Sequence, residues 1–195
     1  MRLFIAIDFN RELKKKLVDL QAGLKDVAVS GRWKYIDNFH LTLKFLGETK
    51  PENLKIINEK LIAACYEYEV FKLKFSNIGY FPGKDSIRVL WLGLEGDTDK
   101  LCNLQGSIDR QMADIGFKPE KRKYVPHITI GQDVVFKINF QELKEMVNFS
   151  EIPEITVKSI SLFKSEQISN RRVYKSIYNY EFTNYNMVTT QKVMK

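Results

Sequence analysis

Only two histidines occur among the 195 residues, and both stand in the same four-residue context. One lies in Phe39-His40-Leu41-Thr42-Leu43, the other in Pro126-His127-Ile128-Thr129-Ile130. In an extended strand, residues two apart share a face. His40 and Thr42 therefore project together while Leu41 and Leu43 face a core, and His127 and Thr129 repeat the arrangement above Ile128 and Ile130. Imidazole titrates near neutral pH, so one ring can serve as base while the other serves as acid. Phosphodiester cleavage needs both: a base to activate the nucleophile and an acid for the departing alkoxide. A threonine hydroxyl beside each ring can donate to a non-bridging phosphate oxygen, where charge grows in the transition state. Two facing copies would clamp one phosphate between them.

A metal centre is the chemical rival, and the ligand count opposes it. Two histidines leave a zinc site short of ligands, and neither motif carries a supporting acid or cysteine. Asp37 and Glu48, the acids nearby, fall outside the histidine-bearing strand faces. No metal and no other cofactor are expected. Cys65 and Cys102 are single and without CxxC spacing, which suits neither a disulfide framework nor zinc, and both are expected as buried small hydrophobes. The formal net charge of +7 suits a polyanion such as RNA, because each neutralised phosphate releases counterions. No apolar run approaches a membrane span, and Asp8 interrupts the N-terminal apolar run too early for a signal peptide, so a cytoplasmic monomer is expected.

The elements that must position these residues can be read from the apolar pattern. Leu3–Ile7 reads as a buried strand. Asn10 caps a helix whose stripe is Leu13, Leu17, Leu20 and Leu24, with Lys14, Lys15 and Lys16 turned mostly to water. Arg32 to Tyr35 looks extended, and Phe39 to Gly47 is the next strand, with Phe45 sharing the inward face of Leu41 and Leu43. Thr49-Lys50-Pro51-Glu52 reads as a capping box opening a helix toward Cys65. The alternating Phe71–Phe75 run and Ile87–Leu94 form a hairpin across Pro82-Gly83. A helix with stripe Leu101, Leu104, Ile108, Met112 and Ile115 ends at Gly116. Tyr124 to Ile130 is a strand, Gln141 to Val147 a short helix, and two strands near 155–163 and 172–182 close the fold. Hairpins mixed with helices predict an α+β fold. Residues 1–184 are expected as one domain, with a polar, frayed tail over 185–195.

Taken together, these segments resemble the 2H phosphoesterase superfamily, and within it the bacterial and archaeal RNA 2′,3′-cyclic phosphodiesterases, historically called 2′-5′ RNA ligases. The resemblance rests on Met1–Ile7, on Arg32-Trp33 followed by Asn38 to Gly47, on Arg88 to Leu94, on Pro126 to Ile130, and on Ile160 to Ser165 with Tyr174 beyond. It implies a bilobal α+β fold in which two related lobes of antiparallel sheet with outer helices flank a basic cleft. It also implies hydrolysis of terminal 2′,3′-cyclic phosphates to 2′-phosphomonoesters, on RNA ends or cyclic nucleotides. His127 would be the proton acceptor and His40 the proton donor, with Thr42 and Thr129 holding phosphate oxygens. Relatives usually carry arginine where Gln132 stands, and often another where Val125 stands. Lys44, read as sharing the face of His40 and Thr42, or Lys123 would then compensate. Trp33 and Tyr124 are candidates for base stacking. The alternatives are 2′-5′ joining of tRNA-like halves, which uses the same histidines, and a catalytically silent RNA-end binding protein.

Overall fold

The structure is a computed structural model that describes residues 1–66 and 68–182. The polar tail expected over 185–195 lies outside the described residues. Nine strands and four α-helices alternate along the described chain, in two antiparallel sheets. The first sheet has the order β3-β1-β8-β9, built from β1 (Arg2–Asp8), β3 (His40–Glu48), β8 (Ser159–Ile168) and β9 (Arg171–Glu181). The second has the order β2-β6-β5-β4-β7, from β2 (Ala28–Trp33), β4 (Phe71–Pro82), β5 (Ile87–Gly96), β6 (His127–Phe136) and β7 (Ile155–Val157). The expected α+β, two-lobed arrangement is therefore present.

Helices α1 (Arg11–Asp26), α2 (Leu54–Cys65), α3 (Thr98–Ala113) and α4 (Phe140–Met146) add their apolar stripes to one core shared with both sheets. Asn10 caps α1, its side-chain oxygen accepting from Leu13 N–H at 2.8 Å. Leu13, Leu17 and Leu24 are buried, but the fourth inward position belongs to Gln21 rather than Leu20. Lys14 also departs from expectation: it turns inward and pairs with Asp8 at 2.6 Å. The capping box at Thr49 does not form. A 3₁₀ turn over Pro51–Asn53 precedes α2, and the Thr49 hydroxyl donates instead to Gly47 C=O. Cys65 is buried, whereas Cys102 is exposed on α3, which corrects its reading as a buried hydrophobe. Gly116, with φ of +94°, follows α3 in the left-handed conformation that glycine adopts without strain.

The segment near 155–163, read as one strand, is two. β7 pairs with β4 in the second sheet and β8 with β1 in the first, so the chain changes sheets at Lys158. The strand expected from Tyr124 starts only at His127. β2 lies between β1 and β3 in sequence but pairs with β6, so it too crosses between sheets.

Candidate active site

The two motif strands carry the same irregularity. On β3, Ile5 faces Lys44 and the next residue of β1, Ala6, faces Thr42, so Leu43 is one residue extra. On β6, Leu90 faces Gly131 and Trp91 faces Thr129, so Ile130 is one residue extra. A single inserted residue reverses the alternation beyond it. Up to the bulge each strand behaves as its pattern predicts: Leu41, Leu43, Ile128 and Ile130 are buried, and His40, Thr42, His127 and Thr129 face one cavity. Past the bulge the faces exchange.

That exchange corrects two expectations. Phe45 is not core; it is 70% exposed and lines the cleft. Lys44 is not on the histidine face; it is buried, its ammonium paired with Asp109 and donating to Lys118 C=O at 2.9 Å. By the same reversal Gln132 reaches the cavity that holds both histidines.

Each ring is fixed in the same way. His40 Nδ1–H donates to Asn38 C=O at 2.9 Å, and His127 Nδ1–H donates to Val125 C=O at 2.7 Å. A carbonyl accepts only, so Nδ1 carries the proton in both rings and each Nε2 is left for chemistry. The Thr42 hydroxyl donates to His40 Nε2 at 3.0 Å. Among the described residues, His127 Nε2 has no hydrogen-bond partner. Aromatic rings hold the imidazoles from the side: Phe4 and Tyr174 lie 4.9 and 5.2 Å from His40, and Phe81 meets His127 edge-on at 5.2 Å. Trp91 backs His127 and lies across Gly79, where a Cβ would stand 2.2 Å from the indole. Burial, then the neighbouring Lys34 charge, holds the His40 pKa down at about 3, and burial also lowers that of His127. Both rings are neutral at pH 7 while the cavity is free of anions.

The cavity between the motifs has a volume of about 150 Å³ and opens beside a groove of about 570 Å³. Lys123 and Tyr124 line the groove with Phe45 and Phe81. Tyr124 is anchored, its hydroxyl donating to Thr42 C=O at 2.8 Å, which ties the approach to the second motif onto the first. Trp33 is absent from both. It packs on Gly131 and Phe136 under the Lys25 ammonium, and is a packing residue. Sequence reasoning missed Lys34 and Asn38 as site residues. Lys34 lines the histidine cavity; Asn38 is buried, its amide donating to Arg172 C=O at 2.7 Å while its own carbonyl holds His40. Alternation contained a signal for Lys34, since a neighbour of inward-facing Trp33 faces the other way. Among the described residues, no three His, Cys, Asp or Glu side chains converge in a group that could hold a metal ion.

The duplicated geometry is matched at the level of the whole sequence. The profile of the LigT-like phosphoesterases fits twice, over residues 7–91 and 92–174, one histidine motif in each copy. The chain belongs to the LigT-like phosphoesterase family. Among its relatives, the RNA 2′,3′-cyclic phosphodiesterase of Thermotoga maritima is 35% identical over 182 residues, covering 93% of this chain and 96% of that protein. The corresponding protein of Methanocaldococcus jannaschii is 36% identical over 181 residues, covering 91% and 98%. Among solved structures, Escherichia coli LigT complexed with 3′-AMP superposes with a TM-score of 0.77 at 27% identity, covering 93% of this chain and 98% of that one. This LigT-like chain thus shares its family and fold with its relatives along nearly its whole length. No helix among its described residues is long and apolar enough to cross a membrane.

Proposed function

We propose that this LigT-like phosphoesterase hydrolyses 2′,3′-cyclic phosphates at RNA ends without a metal, leaving a 2′-phosphate and a free 3′-hydroxyl. The observation that carries the reading is the pair of imidazoles with both Nδ1 atoms committed to backbone carbonyls and both rings lining one small cavity. In this reading His127, whose Nε2 is unengaged, takes a proton from water as the water oxygen bonds to phosphorus. The P–O3′ bond breaks, and His40 delivers the proton that O3′ needs. The substrate's anionic phosphate favours the charged imidazole, offsetting the burial that keeps His40 neutral in the free protein. Thr42 and Thr129 donate to the non-bridging oxygens, and the Thr42 hydroxyl leaves His40 Nε2 to do so. Tyr124 and Lys123 lie along the groove where the rest of the RNA end would pass. The same reading has one chain, organised as one domain over 1–184, act as a monomer, because a single chain supplies both histidines and both threonines; a cytoplasmic location belongs to the same proposal.

An RNA oligonucleotide ending in a 2′,3′-cyclic phosphate, incubated with EDTA, tests the proposal. Wild type should release a 2′-phosphate end, and His40→Ala and His127→Ala should each lower the rate by about 10²–10⁴-fold. Turnover abolished by EDTA, or retained in either variant, would overturn it. Binding of the RNA end without turnover would place the chain with silent RNA-end binding proteins.

A further inference from the structure

Among the described residues, the cavity that holds the two imidazoles is lined by no carboxylate and by a single ammonium, that of Lys34. The position of Lys34 is built into the fold rather than left to a loose loop. It follows directly on β2, its N–H donates to Ile130 C=O at 3.0 Å, and its own carbonyl accepts from Gln21 Nε2 at 3.0 Å. The same Gln21 amide reaches Ile130 C=O at 2.9 Å, and Gln21 is 1% exposed. One buried side chain of α1 thus clamps Lys34 to the bulge residue of the second motif. On β2 itself, two residues before Lys34, Arg32 stands opposite Gln132 of β6 in register. Arg32 is committed to Asp133, whereas no carboxylate among the described residues lies within ion-pair range of Lys34. Its ammonium lies over the face of Tyr174, 5.8 Å from the ring centre, and Tyr174 in turn packs edge-on against His40.

A half-buried ammonium without a counter-charge is an unusual arrangement, because buried charges are ordinarily paired. Burial and the nearby Arg32 charge both disfavour its protonated form. The other candidate cations lie outside the histidine cavity: Lys44 is neutralised by Asp109, and Lys123 lines the neighbouring groove. We propose that Lys34 is a phosphate-binding residue of this site, its ammonium contacting the non-bridging oxygens of the cyclic phosphate between His40 and His127. The inference rests on the phosphodiesterase reading for its substrate and on the cavity alone for its anion. The missing counter-charge is brought by the ligand, and the cation is supplied by the strand beside the second motif rather than by the motif itself. Gln132, on the cavity wall next to it, is neutral and completes the lining without competing for the phosphate.

Two measurements on Lys34→Met and Lys34→Gln test this, with thermal stability recorded to show that each variant folds. On cyclic-phosphate RNA, kcat/KM should fall about 10²–10³-fold, as for loss of one preorganised donor at developing charge. Binding of inorganic phosphate, followed by calorimetry, should weaken at least about tenfold. Adding Gln132→Arg to Lys34→Met should recover at least about tenfold in both, because that side chain also reaches the cavity. If both Lys34 variants stay within about threefold of wild type in both measurements, the proposal is overturned. If wild type shows no turnover yet loses phosphate binding on Lys34 substitution, the phosphodiesterase reading fails while Lys34 stands as an anion-binding residue.

Discussion

His40 sits where its charged form is disfavoured by burial and by the ammonium of Lys34, and this has a consequence for folding as well as for catalysis. In the unfolded chain the ring titrates near 6.5; in the folded one it titrates at about 3. Between those values the unfolded chain binds the extra proton, so stability rises with pH there and is lost as pH falls. Urea denaturation at pH 7 and pH 4.5 should show wild type losing on the order of 2–3 kcal/mol more than His40→Gln over that interval. A loss equal in the two proteins would mean that the ring is not held neutral. At this scale much was legible beforehand. His40, Thr42, His127 and Thr129 followed from period-two alternation, because each motif precedes its bulge. Lys34 escaped because alternation sets it on the face opposite Trp33, but which of those faces lines a cavity is decided only by the partner strand. Trp33 was ambiguous for the same reason: an aromatic beside a motif serves packing or stacking, and only Gly131 opposite it decides.

The bulge after each motif is the element that sequence could not reveal. A one-residue insertion leaves no trace in composition or periodicity, yet it sends Phe45 to the cleft and Lys44 to the interior. Lys44, 6% exposed, then becomes a structural cation whose partner Asp109 also accepts from Glu120 N–H at 3.2 Å. Asp109→Asn removes the counter-charge and leaves an ammonium in the interior, which should cost about 3–5 kcal/mol in chemical denaturation. Turnover per folded molecule should stay within about threefold of wild type, since neither member of the pair lines the cavity that holds both imidazoles. A large loss of turnover at full folding would return Lys44 to the site. The capping box read at Thr49 failed for a related reason: a 3₁₀ turn intervenes at Pro51–Asn53, so the residues stand at the wrong offset from α2.

Over the whole molecule, element order and type were readable, whereas sheet membership was not. β2 and the β7–β8 segment cross between sheets, and their partners lie far away in sequence, where local pattern carries no information. The two sequence repeats, 7–91 and 92–174, therefore do not coincide with the two sheets. The first repeat holds β3 and only the end of β1, their sheet needs β8 and β9 to be complete, and its β2 needs β6. Fragments 1–91 and 92–195 should each lack a cooperative thermal transition alone and regain one when mixed, a result that circular dichroism would show. A cooperative transition in either fragment by itself would mean that a repeat is an autonomous folding unit.

The placement of β8 beside β1 also bears on how the chain is made. β1 is buried on both faces, Leu3, Ile5 and Ile7 on one and Phe4 and Ala6 against Phe163 on the other. Its second edge stays open until Ser159 and its successors leave the ribosome, well after β3 is complete at Glu48. At roughly 5–20 residues per second that interval lasts on the order of 6–22 s. A nascent chain in that window presents an apolar strand with one unsatisfied edge, the kind of surface that pairs with other chains. A chain cut short before Ser159 thus keeps a sticky half-sheet whose open edge no later strand of its own can cover.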